Sequence, residues 1–548
     1  MLRLSEESIS LRLRERIRGI ILFRVSAAIV VIATVSLNFL GATTNAYLHS
    51  HNPPWSPTYN VTESLITMQC NSSGFSNVGR ATQFGIVSYD WSNAKEEWAK
   101  SKPMDCEEKL SEQARKLANS RGDGGNTHIF VYRNVVKALP WFSTVREKLV
   151  DPAYNGFFLD FNKDPQTPLH VPRCAAESPT KCSDLYHDQE QTPQVPTPQH
   201  LHPDGACSKT CDCGQDLPCG EYYFDHRNGT MLREWLTEEV IMGALIDDHE
   251  GLIVDGLFLD DYWCSDQLCH ETNNSIKGCP CDDPFQGPTE SERHAVLDMG
   301  LSDQEILEIT REWNLTMSLI EKRLLEHGAY TWWLIENQEN ANAMPYILDF
   351  SEQHSTDSSL RRNNLSDNSE RCMQVLEDAC RTDSSWQTKP RLFGFSVNET
   401  SHHEGHWYLP NFDLEWAFFL LVRGPYSWAG WGVWGMFWPF QKEPSHGALP
   451  PLPHGVPLPD ILTPEKQIDY GAPLGTCYQP SSQEGVFRRE WSNNWIIEID
   501  CNGCRHENDK DETEDSSCHR SGGIKHRIEK VAPPLGLREE EKIERQVS

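Results

Sequence analysis

Positive charge is scarce in this chain of 548 residues: 49 Lys and Arg stand against 80 Asp and Glu, a formal net charge of −31. Neutralising phosphate requires clustered Lys and Arg, so nucleic acid is excluded as a partner. Cysteine is missing from the first 69 residues, yet 18 cysteines follow between Cys70 and Cys518. Seven Asn-X-Ser/Thr sequons share that distribution, at Asn60, Asn71, Asn228, Asn273, Asn314, Asn364 and Asn398. Long apolar runs are just as few. Ile20 to Ala42 is apolar apart from Arg24, Asn38 and small hydroxyl residues, whereas Phe412 to Phe440 is broken by Asp413, Glu415, Arg423 and four glycines, which excludes a second membrane span.

These absences order the chain. Residues 1–19 are polar and net basic, and residues 20–42 have the length of one bilayer crossing. A basic flank stays cytosolic, so the segment is expected to act as a transmembrane signal anchor that leaves the C-terminal part luminal or extracellular. Cleavage near Ala42 or Ala46 is the alternative and would give a secreted protein. Cysteines and sequons beyond the segment agree with an oxidising compartment. Residues 43–78, with Pro53, Pro54 and Pro57, read as a stem, residues 79–505 as the folded domain, and residues 506–548 as a charged disordered tail.

Inside the folded domain, strand, polar end and helix alternate. Phe84 to Asp90 and His128 to Tyr132 are β-prone runs with polar ends, each followed by a helical stretch, the second with Val145 and Leu149 on one face. That alternation predicts an α/β fold with a parallel sheet. Gly156 to Phe161 (GFFLDF) suggests a further strand. Residues 163–221 then lose any apolar period and carry Cys174, Cys182, Cys207, Cys211, Cys213 and Cys219, an insertion stapled by disulfides in preference to zinc. Ser302-Asp303-Gln304-Glu305 is a capping box that starts a long amphipathic helix ending near Gly328. Further strands are expected at Tyr330 to Asn337, Tyr346 to Phe350, Arg391 to Ser396, and finally Trp495 to Ile499.

The stretch Gly251 to Cys264, GLIVDGLFLDDYWC, organises the rest. A continuous apolar run suits a strand buried on both faces, and it stops at Asp260 and Asp261, followed by Tyr262 and Trp263. In parallel barrels the chemistry sits at the C-terminal strand ends. Asp also ends strands by making turns and capping helices, but two acids with two aromatics exceed what a turn requires. Glycoside hydrolysis needs two carboxyl groups flanking the scissile bond. Because side chains alternate along a strand, Asp260 and Asp261 are expected to point apart, one of them pairing with a carboxylate on another strand. Glu336, at the end of the next strand, is that mate, cast as the acid with a pKa raised by Trp332 and Trp333, while Asp260 or Asp261 is nucleophile or base. Asp90 is expected to hold a substrate hydroxyl. Tyr132, Arg133, Tyr262, Trp263, Asp225 and His226 complete the expected substrate contacts, with Trp428 and Trp431 as stacking platforms for sugar rings.

VDGLFLDDYW (Val254 to Trp263) resembles the strand-end motif of glycoside hydrolases with (β/α)8 barrels, whose core reads D-G-x-x-x-D-D or D-G-x-x-x-D. FGIVSYDWSN, VYRNVVKALPW, DPAYNGFFLDF and DHRNGTML, with DYGAPLG and GVFRREW, look like a group of glycosyl-hydrolase-like proteins of algae, oomycetes and plants. The resemblance covers roughly residues 80 to 500. It implies a single (β/α)8 TIM-type barrel with a Cys-rich insertion and a carbohydrate substrate. Independently of the resemblance, no cofactor and no resident metal are expected. A glycan-binding protein on the same barrel, lacking turnover, is the competing expectation. A metal-dependent hydrolase drawing on His402, His403 and His406 is a third.

Overall fold

Eight short strands form where apolar and aromatic residues run together: β1 (Ile66–Gln69), β2 (Ile86–Tyr89), β3 (His128–Asn134), β4 (Gly256–Asp260), β5 (Tyr330–Glu336), β6 (Ala343–Leu348), β7 (Arg391–Phe395) and β8 (Ser427–Trp431). Each pairs with the next, and every pair is parallel. A parallel bridge between Leu65 and Ala429 joins β8 back to β1 and closes the barrel. β1 and β2 are buried at every position, as strands covered on both faces must be. The computed structural model describes residues 58–70, 74–121, 126–161, 184–187, 217, 220–247, 251–252, 254–261, 263, 299–336, 343–348, 369–382, 386, 390–395, 398–399, 407–408, 412–431, 468–503 and 524–531.

Helices α1 (Cys106–Arg121), α2 (Ser143–Leu149), α3 (Asp303–Glu326), α4 (Ser369–Ala379) and α5 (Phe412–Val422) lie between strands in the sequence. The capping box at α3 is present: Glu305 accepts the Ser302 N–H at 2.9 Å, and Ser302 Oγ accepts the Glu305 N–H at 3.4 Å. Past its end, Gly328 takes φ +71°, the left-handed conformation a helix stop favours.

The D-G half of the central motif is a structural device at the opposite end of the strand from the paired acids. Asp255 Oδ2 accepts hydrogen bonds from Arg121 Nη1 at 2.5 Å and from the Ile129 N–H at 2.8 Å, tying α1 and β3 to the start of β4. At Gly256 a Cβ would land 2.2 Å from the Phe130 ring and 2.4 Å from the Tyr330 carbonyl oxygen, so only glycine lets β3, β4 and β5 approach.

Several boundaries differ from expectation. The barrel opens at Ile66, inside the segment read as stem, because ITMQ is too short to stand out as an apolar period yet is wholly buried against β2. GFFLDF is not a barrel strand: Pro152–Phe157 is a 3-10 helix, and Phe158 and Asp160 make isolated bridges to Phe224 and Leu185. Trp495–Asp500 does not join the barrel either. It is the middle strand, β10, of an antiparallel sheet with β9 (Val486–Trp491) and β11 (Lys525–Lys530). KHRIEK therefore lies in a sheet, although its charge made it read as tail. Two disulfides, Cys372–Cys501 and Cys380–Cys477, anchor both ends of α4 to this C-terminal region. The apolar segment at residues 20–42, most of the Cys-rich insertion, and the cysteines from Cys264 to Cys281 lie outside the described residues. Among the described residues no helix is long and apolar enough to cross a membrane.

Candidate active site

Alternation along β3 sorts its side chains. Arg133 faces the helices, with its guanidinium 3.3 Å from Glu107 of α1 and donating to the Val240 carbonyl at 3.4 Å. Tyr132 and Asn134 therefore face the other way, into the barrel. Phe130 and Tyr132 pack there on Trp332 and Phe258, and Phe258 packs on Trp332. Asn134 sits above them, in register with Asp260.

At the end of β4 the strand geometry fails. Asp261 adopts φ +59°, a left-handed backbone uncommon outside glycine. Its carboxylate turns back to accept Asn134 Nδ2 at 2.6 Å, while its N–H donates to Asp260 Oδ1 at 3.0 Å. The alternation that should separate the two acids is cancelled by this one residue, and both charges bear on Tyr132. Asp260 and Asp261 thus stand together, correcting the expectation that they point apart.

Asp90, at the end of β2, completes a cluster of three acids. Its Oδ1 accepts Ser92 N–H at 2.9 Å and Ser92 Oγ at 2.6 Å. Burial pushes the Asp260 carboxyl well above the ordinary carboxylate range; the Asp261 and Asp90 charges push the same way, and Lys137 pulls against them. Asp90 is raised as well, mainly by burial, with its Ser92 hydrogen bonds and Lys95 opposing. The Tyr132 hydroxyl, which accepts Asn134 Nδ2 at 2.9 Å, is pushed far above its usual value by burial and then by the Asp260, Asp261 and Asp90 charges, so it stays protonated.

Four site residues were missed by sequence reasoning. Asn134 orients Asp261, and its Oδ1 is held by the backbone N–H groups of Val136 and Lys137 at 2.9 and 2.7 Å. Lys137 lies 3.4 Å from Asp261 Oδ2 and 3.1 Å from Glu221 Oε2, bridging the two. Glu221 and the Tyr222–Tyr223 strand come from the end of the Cys-rich insertion, pairing antiparallel with Lys137–Ala138. Lys95 stands 4.9 Å from the Trp91 ring centroid and feels the charges of Asp90 and Glu221. Only Asn134 carried a signal, as a polar residue ending a strand beside the acidic one.

The other expected contacts divide. Trp263 is buried with its ring 6.0 Å from Tyr223, beside the Lys137 ribbon. Tyr262 lies outside the described residues. Glu336 is the last residue of β5, the strand paired with β4, so its backbone lies on the same rim. Expectations are overturned where the side chains are used within the fold. Arg133 is spent on Glu107. Both oxygens of Asp225 hold the Arg227 guanidinium, at 2.9 Å each. Trp428 is 3 % exposed within β8, too buried to serve as a platform, and Trp431 ends that strand. His402, His403 and His406 lie outside the described residues, among which no group of three or more His, Cys, Asp or Glu is placed to hold a metal.

His226 is likewise structural. Its Nε2–H donates to the Val135 carbonyl at 2.7 Å, and Nδ1 lies 3.4 Å from Thr316 Oγ1 of α3. Burial lowers its pKa to about 4, so the ring is neutral at pH 7. A histidine neutral in the fold but ordinary when unfolded contributes stability above pH 6.5, lost as the pH falls towards 4; at about 1.4 kcal/mol per tenfold change in acidity the loss approaches roughly 3 kcal/mol. The raised carboxyls of Asp90 and Asp260 act in the opposite sense. The diagnostic is therefore the difference between wild type and His226→Gln. By urea denaturation, the wild-type advantage should shrink from pH 7 to pH 4.5; a constant difference would contradict a buried neutral ring.

No protein-family model matches the chain, and none of the curated proteins is similar to it in sequence. Solved structures do superimpose at very low identity. Isomaltulose synthase from Klebsiella sp. LX3 matches over 82 % of this chain and 92 % of its own, at 11 % identity and a TM-score of 0.39. A sucrose 6F-phosphate phosphorylase from Thermoanaerobacter thermosaccharolyticum matches over 80 % and 94 %, at 10 % identity and a TM-score of 0.37. Trehalose-6-phosphate hydrolase from Bacillus licheniformis matches over 82 % and 91 %, at 8 % identity and a TM-score of 0.35. The closed barrel rests on the strand pairing above.

Proposed function

We propose that this chain is a glycoside hydrolase that cleaves a poly- or oligosaccharide with carboxyl groups at the end of β4. The observation that carries the reading is the pairing of two acids in unlike surroundings at the barrel rim: burial pushes the Asp260 carboxyl well above the ordinary carboxylate range, while Asp261 accepts Asn134 Nδ2 and lies beside the Lys137 ammonium. A protonated carboxyl can donate to a leaving oxygen, and a carboxylate beside it can act as nucleophile or base. Asp260 is thus the proton donor in this scheme, Asp261 the anionic partner, and Asp90 and Tyr132 hold sugar hydroxyls. Glu336 is the rival donor from β5.

The full chain, screened against poly- and oligosaccharides, separates these roles by its pH profile. The alkaline limb of kcat/KM reports loss of the donor proton. Removing the Lys137 charge (Lys137→Met) leaves Asp260 harder to ionise and moves that limb to higher pH. Asp90→Asn removes a like charge and moves it to lower pH. If Glu336→Gln alone eliminates the limb, Glu336 is the donor.

A glycan-binding protein without turnover is the second reading. It is favoured by Lys137, whose single ammonium already pairs with both Asp261 and Glu221. Under either reading the barrel belongs in the lumen or exterior beyond a single-pass anchor at residues 20–42, with secretion after cleavage as the alternative. Cys372–Cys501 and Cys380–Cys477 support an oxidising compartment.

A further inference from the structure

The C-terminal sheet carries a cleft of about 510 Å³ whose lining includes Asp469, Ser492, Asn493, Asn494, Trp495 and Lys530. None of these residues belongs to the barrel rim. Trp495 is half-buried, with the edge of Tyr470 packed against it at 5.2 Å. Its indole Nε1 is withdrawn from solvent and finds no acceptor among the described residues, so the exposed part of the ring is its carbon surface.

Around that surface, polar groups are left with bonding capacity. Asp469 Oδ1 accepts the Gly471 N–H at 2.8 Å, while Oδ2 has no partner among the described residues. Ser492 Oγ accepts the Ala472 N–H at 2.9 Å and keeps its own proton to donate. The side-chain amide of Asn494, exposed at the hairpin turn with φ +62°, bonds to no described residue. The exposed Lys530 ammonium stands 5.9 Å from the Trp495 ring centroid and forms no ion pair with a described residue.

We infer that this cleft is a second saccharide-binding site, which holds a neutral glycan on Trp495. An anionic ligand would meet Asp469 and a cationic one Lys530, and the apolar lining is small, the Trp495 ring with Ile468 beside it. A neutral polyhydroxylated ring satisfies all three conditions, laying its C–H face on the indole while its hydroxyls reach donors and acceptors around it. The ligand class follows from these groups. The use of the site, keeping a polymer near the barrel, rests on the glycosidase reading.

The test is retention of the full chain on insoluble cellulose, chitin, xylan and starch granules, beside affinity electrophoresis on the same polymers in soluble form. Trp495→Ala is expected to weaken binding of the retained polymer by tenfold or more. Asn494→Gly keeps the left-handed turn, deletes the amide and should cost about threefold at unchanged melting temperature, which guards against a fold defect. Gly243→Ala, in a helical turn outside both the cleft and the barrel rim, should bind as wild type does. Retention unaffected by both cleft substitutions, or wild-type retention on no polymer, overturns the site. Retention lost in Trp495→Ala while wild type hydrolyses nothing leaves the site standing and removes the glycosidase.

Discussion

Asp261→Asn should lower kcat/KM for the hydrolysed glycan by about 10³-fold or more, with the melting temperature close to that of wild type. Asparagine retains an oxygen to accept Asn134 Nδ2, and so preserves the bond made at 2.6 Å, but it forfeits the negative charge set against Lys137. Asp260→Asn is expected to cost about 10²- to 10⁴-fold, the usual worth of a general acid. The pair should be far from additive, since groups that act as a unit fail together. Stopped assays on one soluble oligosaccharide, with thermal melts alongside, check both. Substantial activity in Asp261→Asn would move the chemistry off β4 altogether.

Gly256→Ala should be the most damaging small substitution in the barrel. The added methyl meets Phe130 at 2.2 Å and the Tyr330 carbonyl oxygen at 2.4 Å, and the latter is backbone of a paired strand that cannot yield without opening the sheet. Overpacking of side chains alone costs about 1–3 kcal/mol, so a loss of about 3 kcal/mol or more is expected, with poor recovery of soluble protein. Gly243→Ala supplies the control. Nothing lies within 4 Å of its added Cβ, and it sits in a helical turn, Met242–Leu245, so its urea midpoint should hold or rise slightly. Equal stability of the two variants would contradict the close packing of β3, β4 and β5.

The barrel was legible where burial left a continuous apolar run or helix chemistry left a cap. LFLDD and the box at Ser302 both announce themselves in this way. β1 was not, since four residues, ITMQ, carry no period, and their parallel partner starts only at Ile86, beyond an intervening short helix, Val78–Ala81. β11 was hidden by its composition: KHRIEK has Ile528 as its single apolar residue among charged residues and a histidine, which suits an edge strand but in isolation looks solvated. The acids of the site could be named, but their geometry could not. A left-handed Asp261 is set by tertiary contacts with Asn134 and Lys137, and no sequence rule places a non-glycine residue there. Glu221 joins the cluster from within a Cys-rich insertion that lacks any periodicity. Arg133, Asp225 and Trp428 were misread for one shared reason: polar and aromatic residues near strand ends serve the helices and core as readily as a ligand.

The two disulfides are nested, since the Cys380–Cys477 bond lies inside the span closed by Cys372–Cys501. A single proteolytic cut between Cys380 and Cys477 therefore leaves its two products joined twice over, and one between Cys477 and Cys501 leaves them joined once. Such a nicked molecule would migrate as intact protein on a non-reducing gel. Reduction would reveal the break, freeing after a cut between Cys380 and Cys477 a C-terminal fragment that carries β9 to β11, together with β7 and β8 when the cut precedes them.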